Sequence, residues 1–97
     1  MIDIIVPTLN RHEAIERLIK DLGNQTSKNF NLYVVDQSNK PFKNKLKPPF
    51  KVITLWRPDF KSPILARDYG SKIAKSEILI FLDDDMIPKK DLIENVK

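Results

Sequence analysis

Apolar residues occur along the chain in short continuous runs and in spaced series, and the two patterns predict different elements. Continuous runs predict strands that are buried on both faces of a parallel sheet. Apolar positions that recur every three or four residues predict helices lying on that sheet. The predicted strands are residues 2–6, 30–36, 52–56 and 77–82, and helices are predicted to follow the first, third and fourth of them.

Polar residues mark where the predicted helices begin and end. Asn10 is a suitable N-cap for the first helix, and Glu13 completes a capping-box pattern. Gly23 is suited to end that helix, and Ser62 before Pro63 is a typical start for the second, which is expected to reach residue 75. The third helix is expected at residues 88–96. The apolar faces consist of Ala14, Ile15, Leu18, Ile19 and Leu22 in the first helix and of Ile64, Leu65, Ala66, Tyr69, Ile73 and Ala74 in the second.

The alternation of strands and helices predicts an α/β fold, a parallel Rossmann-like sheet with helices on both faces. Because crossovers between parallel strands are right-handed, the first three strands are expected to step in one direction. The fourth then returns beside the first, which gives the strand order 3-2-1-4. Ligands bind at such a reversal, here between strands 1 and 4. Residues 37–50 are expected to form a loop, and Gly70 inside the second helix indicates close packing on the sheet or on a ligand.

Three consecutive carboxylates, Asp83, Asp84 and Asp85, follow the fourth predicted strand. Adjacent like charges repel one another, and a divalent cation such as Mg²⁺ or Mn²⁺ would offset that repulsion with hard oxygen ligands. Because side chains alternate along extended backbone, Asp83 and Asp85 are expected to face one ligand while Asp84 faces elsewhere. A site with one or two carboxylates also needs substrate phosphates to complete the metal shell. A solvated acidic turn that caps the third helix is the alternative interpretation.

Other polar residues are expected at the same sheet edge. Pro7, Thr8 and Asn10 follow the first predicted strand, and Asp36 ends the second, where its carboxylate could accept a hydrogen bond from a base N–H. Arg67, in the second predicted helix, is a candidate donor to a phosphate. The alternatives stay open, since Asp36 also suits a turn, and Arg67 also suits a surface ion pair.

Composition narrows the function classes. The 97 residues suffice for one domain, residues 1–97, and the absence of cysteine excludes a thiolate site and fits a reducing, cytoplasmic compartment. The single histidine, His12, is expected to face solvent. The N-terminus lacks a basic leader, and no apolar run is long enough to span a bilayer.

Much of the net charge of +4 comes from lysines between the second and third strands. They indicate a solvated loop or a surface for anionic lipid or nucleic acid. No aromatic residues interleave them as a nucleic-acid groove requires, so nucleic acid is not an expected partner, and peripheral membrane association, at the cytoplasmic face, stays open. An exposed sheet edge would also leave self-association open. The lysines are Lys40, Lys43, Lys45, Lys47 and Lys51.

Four segments together resemble family 2 glycosyltransferases of the GT-A fold. They are IIVPTLNR at residues 4–11, VVD at 34–36, ARDYG at 66–70 and IFLDDD at 80–85, in the expected order. The last contains the D-x-D element. The resemblance implies a metal-dependent transferase that binds a nucleotide-diphosphate sugar, with UDP-sugar as the expected donor and the acceptor unknown.

The resemblance also implies roles for individual residues. The nucleotide would be bound by Pro7, Thr8, Asn10, Asp36, Arg67, Asp83 and Asp84, with Asp36 at the base and Asp83 at the ribose. Asp85, with Asp83, would bind the Mn²⁺ or Mg²⁺ ion. Gln37 and Asp68 stand where the family usually has an acidic residue and asparagine, which leaves the base and the fine specificity open. Family members are typically longer, so the chain is expected to be the donor-binding fragment, with the general base beyond Lys97.

Two other functions stay open. A nucleotidyl- or phosphoryl-transferring α/β domain could use the same acidic triplet, although residues 7–11 lack the glycines of a phosphate-binding loop. A non-enzymatic nucleotide-binding or interaction module is the second alternative.

Overall fold

The strand β1, Ile2–Thr8, is the centre of the sheet, and all seven of its residues are buried. The computed structural model describes residues 1–96. Four parallel strands form one sheet in the order β3-β2-β1-β4, which confirms the predicted fold class and strand order. The remaining elements are α1 (His12–Leu22), β2 (Phe30–Asp36), β3 (Lys51–Trp56), α2 (Pro63–Ile73), β4 (Ile78–Phe81) and α3 (Leu92–Val96).

Helices cover both faces of the sheet because alternate residues of β1 point to opposite sides. Ile4 and Val6 belong to the larger core cluster, which α1 and α3 complete. Ile5 belongs to a second cluster with Ala66 of α2. The residues that α1 and α3 bury in the larger cluster are Ile15, Leu18, Ile19, Leu22 and Ile93.

Gly70 brings α2 close to the sheet, as its position in the sequence predicts. A Cβ atom at Gly70 would lie 2.7 Å from Cγ2 of Ile5 and 3.3 Å from Cγ2 of Val35. The absence of a side chain therefore sets the distance between α2 and the strands β1 and β2.

β1 continues through Pro7 to Thr8, whereas the sequence predicted that it stops at Pro7. The carbonyl of Ile5 accepts from Leu82, so it faces β4. Pro7, two residues on, faces the same side, beyond the last paired residue of β4. The pairing of β1 with β4 therefore ends where Pro7 has no N–H to donate, while β1 stays paired with β2 as far as Thr8.

The predicted cap of α1 is wrong. The helix begins at His12, with Arg11 at the N-cap position and no side-chain cap bond. Asn10 adopts a left-handed conformation with φ of 55°, and its side-chain oxygen accepts a hydrogen bond from the backbone of Asn39 instead. The side-chain oxygen of Asn10 that would cap the helix is therefore used in a tertiary hydrogen bond to the loop. The predicted start of α2 is confirmed, because Ser62 caps the N–H of Leu65.

Four further expectations about burial and bounds were wrong. Ile64 and Leu65 are 74% and 50% exposed, because α2 contacts the sheet through Ala66 and Gly70 instead. β4 is only half-buried because it has a neighbouring strand on one side alone. α3 begins at Leu92, four residues later than expected, and α2 ends at Ile73 rather than residue 75.

The segment before α3 is held by the loop that follows α1. The side-chain amide of Gln25 donates to the carbonyl of Lys89 and accepts from the N–H of Ile93, while Thr26 donates to the carbonyl of Lys90. These bonds replace the helical ones that the sequence predicted for residues 88–91. Residues 37–50 form the expected loop, and its Phe42 is buried.

Within residues 1–96, no helix combines the length and the apolar character needed to cross a membrane.

Candidate functional site

A cleft of about 430 Å³ lies at the carboxyl edge of the sheet, between the ends of β1 and β4. This is the point at which the strand order reverses, as the sequence predicted. The cleft is lined by Pro7, Thr8, Leu9, Arg11, Gln37, Lys61, Ser62, Pro63, Asp83, Asp84 and Asp85.

Asp84 is the buried member of the acidic triplet. The hydroxyl of Thr8 donates to Oδ2 of Asp84 at 2.9 Å, and Nη1 of Arg11 donates to Oδ1 at 3.3 Å. The residue is only 8% exposed. Its carboxylate therefore joins the end of β1 to the segment that follows β4, and both of its oxygens are occupied.

Asp83 and Asp85 instead reach the open part of the cleft, with side chains 59% and 69% exposed. Nη2 of Arg67 lies 3.0 Å from Asp83, and Nη1 of Arg11 lies 4.0 Å from Asp85. The triplet is thus divided between one buried and two exposed carboxylates, in the alternation that its spacing predicts. Each exposed carboxylate has an arginine beside it.

The exposed carboxylates can supply part of a metal site. Among residues 1–96, no group of three or more histidine, cysteine, aspartate or glutamate side chains is arranged to hold a metal ion. The oxygens of Asp83 and Asp85 are hard ligands of the kind that Mn²⁺ and Mg²⁺ take, and such ions complete their shells with phosphate oxygens and water. The donor set therefore fits a metal that arrives with a phosphate-bearing ligand.

Asp36 lies at the end of β2 and is fully buried. Its carboxylate accepts hydrogen bonds from the backbone N–H groups of Ser38, at 3.1 Å, and Phe42, at 2.6 Å. Nε2 of His12 is 3.7 Å away, and His12 is half-buried rather than solvent-facing as expected. Asp36 thus fixes the course of the loop beside the cleft, and its predicted contact with a base stays a prediction.

Asn10 also fixes that loop. Its backbone N–H donates to Oγ of Ser38 at 2.7 Å, and its side-chain oxygen accepts from the N–H of Asn39 at 3.2 Å. A second depression, of about 820 Å³, adjoins the cleft at this point, and Arg11 borders both. It is lined by Asn10, Arg11, His12, Glu13, Ala14, Asn39 and Lys40.

Besides Arg11, four residues that line the cleft were not predicted as site residues from the sequence: Gln37, Lys61, Ser62 and Pro63. Oε1 of Gln37 accepts from the N–H of Ser62 at 2.6 Å, which ties the end of β2 to the start of α2. Nζ of Lys61 donates to the carbonyl of Gln37 at 3.1 Å and to Oδ1 of Asn39 at 2.9 Å. The only sequence feature that pointed to any of these residues as part of the site was Gln37, which stands where the resembling family usually has an acidic residue.

Arg11 was also missed as a site residue, although it lies in the first of the quoted segments. It contacts both Asp84 and Asp85 while its side chain remains 60% exposed. With Arg67 and Lys61, it places three cations around the exposed carboxylates of the cleft.

Comparison with known proteins identifies the family. Residues 3–96 match the model of glycosyl transferase family 2. The chain belongs to this family. The resemblance inferred from the four sequence segments is thereby confirmed.

A curated relative of this chain is an uncharacterized glycosyltransferase of Haemophilus influenzae (strain ATCC 51907 / DSM 11121 / KW20 / Rd). It is 32% identical over 93 residues, which cover 93% of this chain and 32% of the relative. The chain therefore spans about a third of the length of that relative.

Solved structures similar to this family 2 chain include S. aureus TarS, at 26% identity. One crystal structure of TarS gives a TM-score of 0.73, over 98% of this chain and 18% of the solved TarS chain. TarS 1-349 in complex with UDP gives a TM-score of 0.72, over 98% of this chain and 30% of that one. The expected GT-A fold is thus confirmed over nearly the whole chain.

Proposed function

We propose that the cleft binds the donor of a metal-dependent glycosyl transfer, a nucleotide-diphosphate sugar, with UDP-sugar as the donor. The observation that carries the proposal is the division of the acidic triplet. Asp84 is fixed to Thr8, while Asp83 and Asp85 are exposed in a cleft that also contains basic side chains. TarS, a protein of similar fold, has been solved in complex with UDP, which supports the choice of nucleotide.

The basic side chains suit a diphosphate. Arg67 and Arg11 already contact carboxylates of the triplet, and the ammonium group of Lys61 lies at the cleft wall. Charge-assisted hydrogen bonds from such groups to phosphate oxygens are roughly twice as strong as neutral ones. In this proposal Arg67 exchanges part of its contact with Asp83 for a phosphate oxygen.

The carboxylates then divide between metal and nucleotide. Asp85 holds the Mn²⁺ or Mg²⁺ ion, together with Asp83, which also faces the ribose. When bound there, such a metal would neutralise the diphosphate and stabilise it as a leaving group. Pro7, Thr8 and Asn10 form the nucleotide-facing wall, and buried Asp84 and Asp36 keep that wall and its loop in position. Because Asp36 is fully buried, its contact with the base would require movement of the loop that covers it.

Calorimetry with UDP and with GDP, each with and without Mn²⁺, tests the proposal. We expect UDP to bind more tightly when Mn²⁺ is present, and Asp85→Asn to remove that gain. Asp91→Asn is the matched control, because Asp91 is exposed and lies outside the cleft. Equal UDP affinity with and without metal would contradict the metal role. No binding of either nucleotide would contradict the donor-binding function and favour an interaction module.

The transfer reaction itself is proposed for the whole protein, with this chain as its donor-binding part. The family resemblance implies an acceptor site and a general base in the second half of longer members. We therefore expect the 97-residue chain to bind UDP without efficient sugar transfer to simple acceptors. Robust turnover by this chain would overturn that division of roles.

A further inference from the structure

The loop between β2 and β3 carries a charge pattern that the donor cleft does not use. Between Asp36 and Asp59 the sequence contains no acidic residue. All five lysines of this segment are exposed, and within residues 1–96 none of them forms an ion pair. They are Lys40, Lys43, Lys45, Lys47 and Lys51.

The loop runs beside α1 from the first turn of the helix to its end. Near the start of α1, the ring of Phe42 packs edge-on against His12, with 5.5 Å between ring centroids. Near the end, Leu46 and Lys47 border a shallow depression together with Lys20 of α1. Because α1 has 11 residues, the lysines of the loop itself, Lys40, Lys43, Lys45 and Lys47, are distributed over about 16 Å of one face of the molecule. Lys51 begins β3 and lies on the other side of the sheet, with Leu55, so it is not part of this face.

The loop is anchored, so its lysines are held on that face. Phe42 and Phe50 are 5% and 9% exposed and belong to the larger core cluster, against which Leu46 also packs. The backbone N–H of Phe42 donates to buried Asp36. Lys43, Lys45 and Lys47 alternate with other residues along the irregular segment between these anchors. Lys20 and the four loop lysines, Lys40, Lys43, Lys45 and Lys47, are called the lysine surface below.

We propose that the lysine surface docks the protein on an anionic lipid bilayer. Clustered lysines are attracted to anionic headgroups without a shaped pocket, and each contributes to binding near the surface. A nucleic-acid site would need aromatic or arginine groups to stack on bases. The aromatic side chains of this loop are instead buried in the core.

The acidic residues of α1 do not cancel the lysine surface. Asp21 is paired with Arg17 at 3.9 Å, which leaves Glu13 and Glu16 as the unpaired exposed carboxylates of that helix. The five lysines of the lysine surface outnumber these two carboxylates. The docking face also differs from the cleft, since none of these lysines borders the cleft. The proposal therefore does not depend on the identity of the donor.

Vesicle co-sedimentation of the 97-residue chain tests the proposal. Vesicles of phosphatidylcholine alone are compared with vesicles that also contain phosphatidylglycerol. We expect binding to the anionic vesicles only, weakening as the salt concentration rises. Lys45→Gln/Lys47→Gln should lower the partition coefficient by roughly 30-fold, because each lysine near an anionic surface contributes about 1 kcal/mol of binding free energy. Lys45→Arg/Lys47→Arg should restore it, since the charge is kept.

Lys72→Gln/Lys75→Gln is the matched control, because it removes the same charge from the side of the sheet that α2 covers. The control should bind anionic vesicles within about threefold of the unmodified chain. Equal binding to neutral vesicles, or equal losses in the two Gln variants, would overturn the proposal. So would binding to RNA rather than vesicles. UDP affinity, measured in parallel, should be unchanged by Lys45→Gln/Lys47→Gln. A loss of lipid binding can then be distinguished from damage to the donor site.

Discussion

The hydroxyl of Thr8 donates a hydrogen bond of 2.9 Å to Oδ2 of Asp84, and the two residues are 76 positions apart in the sequence. Both side chains are buried or nearly so. Thr8 is the last residue of β1, and Asp84 is the middle carboxylate of the triplet after β4. This bond orients the triplet, because fixing Asp84 inward leaves Asp83 and Asp85 at the cleft surface.

Thr8→Val should therefore both destabilise the fold and weaken metal-dependent UDP binding. The substitution keeps the side-chain shape but leaves one oxygen of Asp84 without its donor, and such a loss costs about 1–3 kcal/mol. Urea unfolding measures the first effect, and calorimetry measures the second. Thr8→Ser, which keeps the hydroxyl, is the control and should retain most of the stability and affinity. Unchanged UDP affinity in a folded Thr8→Val chain would refute the orienting role.

Arg67→Gln should weaken UDP binding by about tenfold, because a partly exposed charge-assisted bond to phosphate contributes at the lower end of its usual range. Its guanidinium group lies 3.0 Å from Asp83, and its side chain is 40% exposed. Arg17→Gln is the matched control, since Arg17 also forms an exposed ion pair but lies outside the cleft. Similar UDP affinities of Arg67→Gln and Arg17→Gln would show that Arg67 does not bind the phosphate.

Gly70→Ala should destabilise the protein, although alanine favours an isolated helix by about 1 kcal/mol. Its Cβ atom would lie 2.7 Å from Ile5, in the core beneath α2. Overpacking of this kind costs about 1–3 kcal/mol. Gly23→Ala is the comparison, because the nearest atom to a Cβ there is 3.2 Å away, at the C-terminal end of α1. A chemical denaturation midpoint for Gly70→Ala at or above that of Gly23→Ala would contradict the packing argument.

Asp3 should make stability depend on pH in the acid range. Burial raises the pKa of Asp3, but hydrogen bonds from Asn31, Ser76 and Lys75 outweigh it, so the folded-state pKa lies below its usual value. A carboxylate with a lowered pKa contributes stability above its unfolded pKa, about 3.9, and that contribution is lost as the pH falls through the folded value.

Asp3→Asn should consequently be less stable than the unmodified chain at about pH 7, and the difference should shrink below about pH 4. Urea unfolding at a series of pH values measures this difference. Asp91→Asn, at an exposed position, is the control and should differ little from the unmodified chain throughout. If the stability difference between Asp3→Asn and the unmodified chain grew as the pH fell, the pKa of Asp3 would not be lowered in the folded state.

The candidate site was predicted in part because parallel strands bring their carboxyl ends to one edge. Pro7, Thr8 and the triplet Asp83–Asp85 follow strands β1 and β4, and they do line one cleft. Gln37 and Ser62 were missed because their contact joins a strand end to a helix start that are distant in sequence. No local pattern indicates such a pairing.

The sequence by itself determined the strands, the helices, their order in the sheet and the edge at which polar residues collect. These follow from local periodicity and from the handedness of crossovers, which do not depend on particular contacts. Only the tertiary structure decided that Asp84 turns inward, that Asp36 supports a loop and that Asn10 does not cap α1. Each of these side chains had more than one hydrogen-bonding partner within reach along the chain, and packing of distant segments selected one.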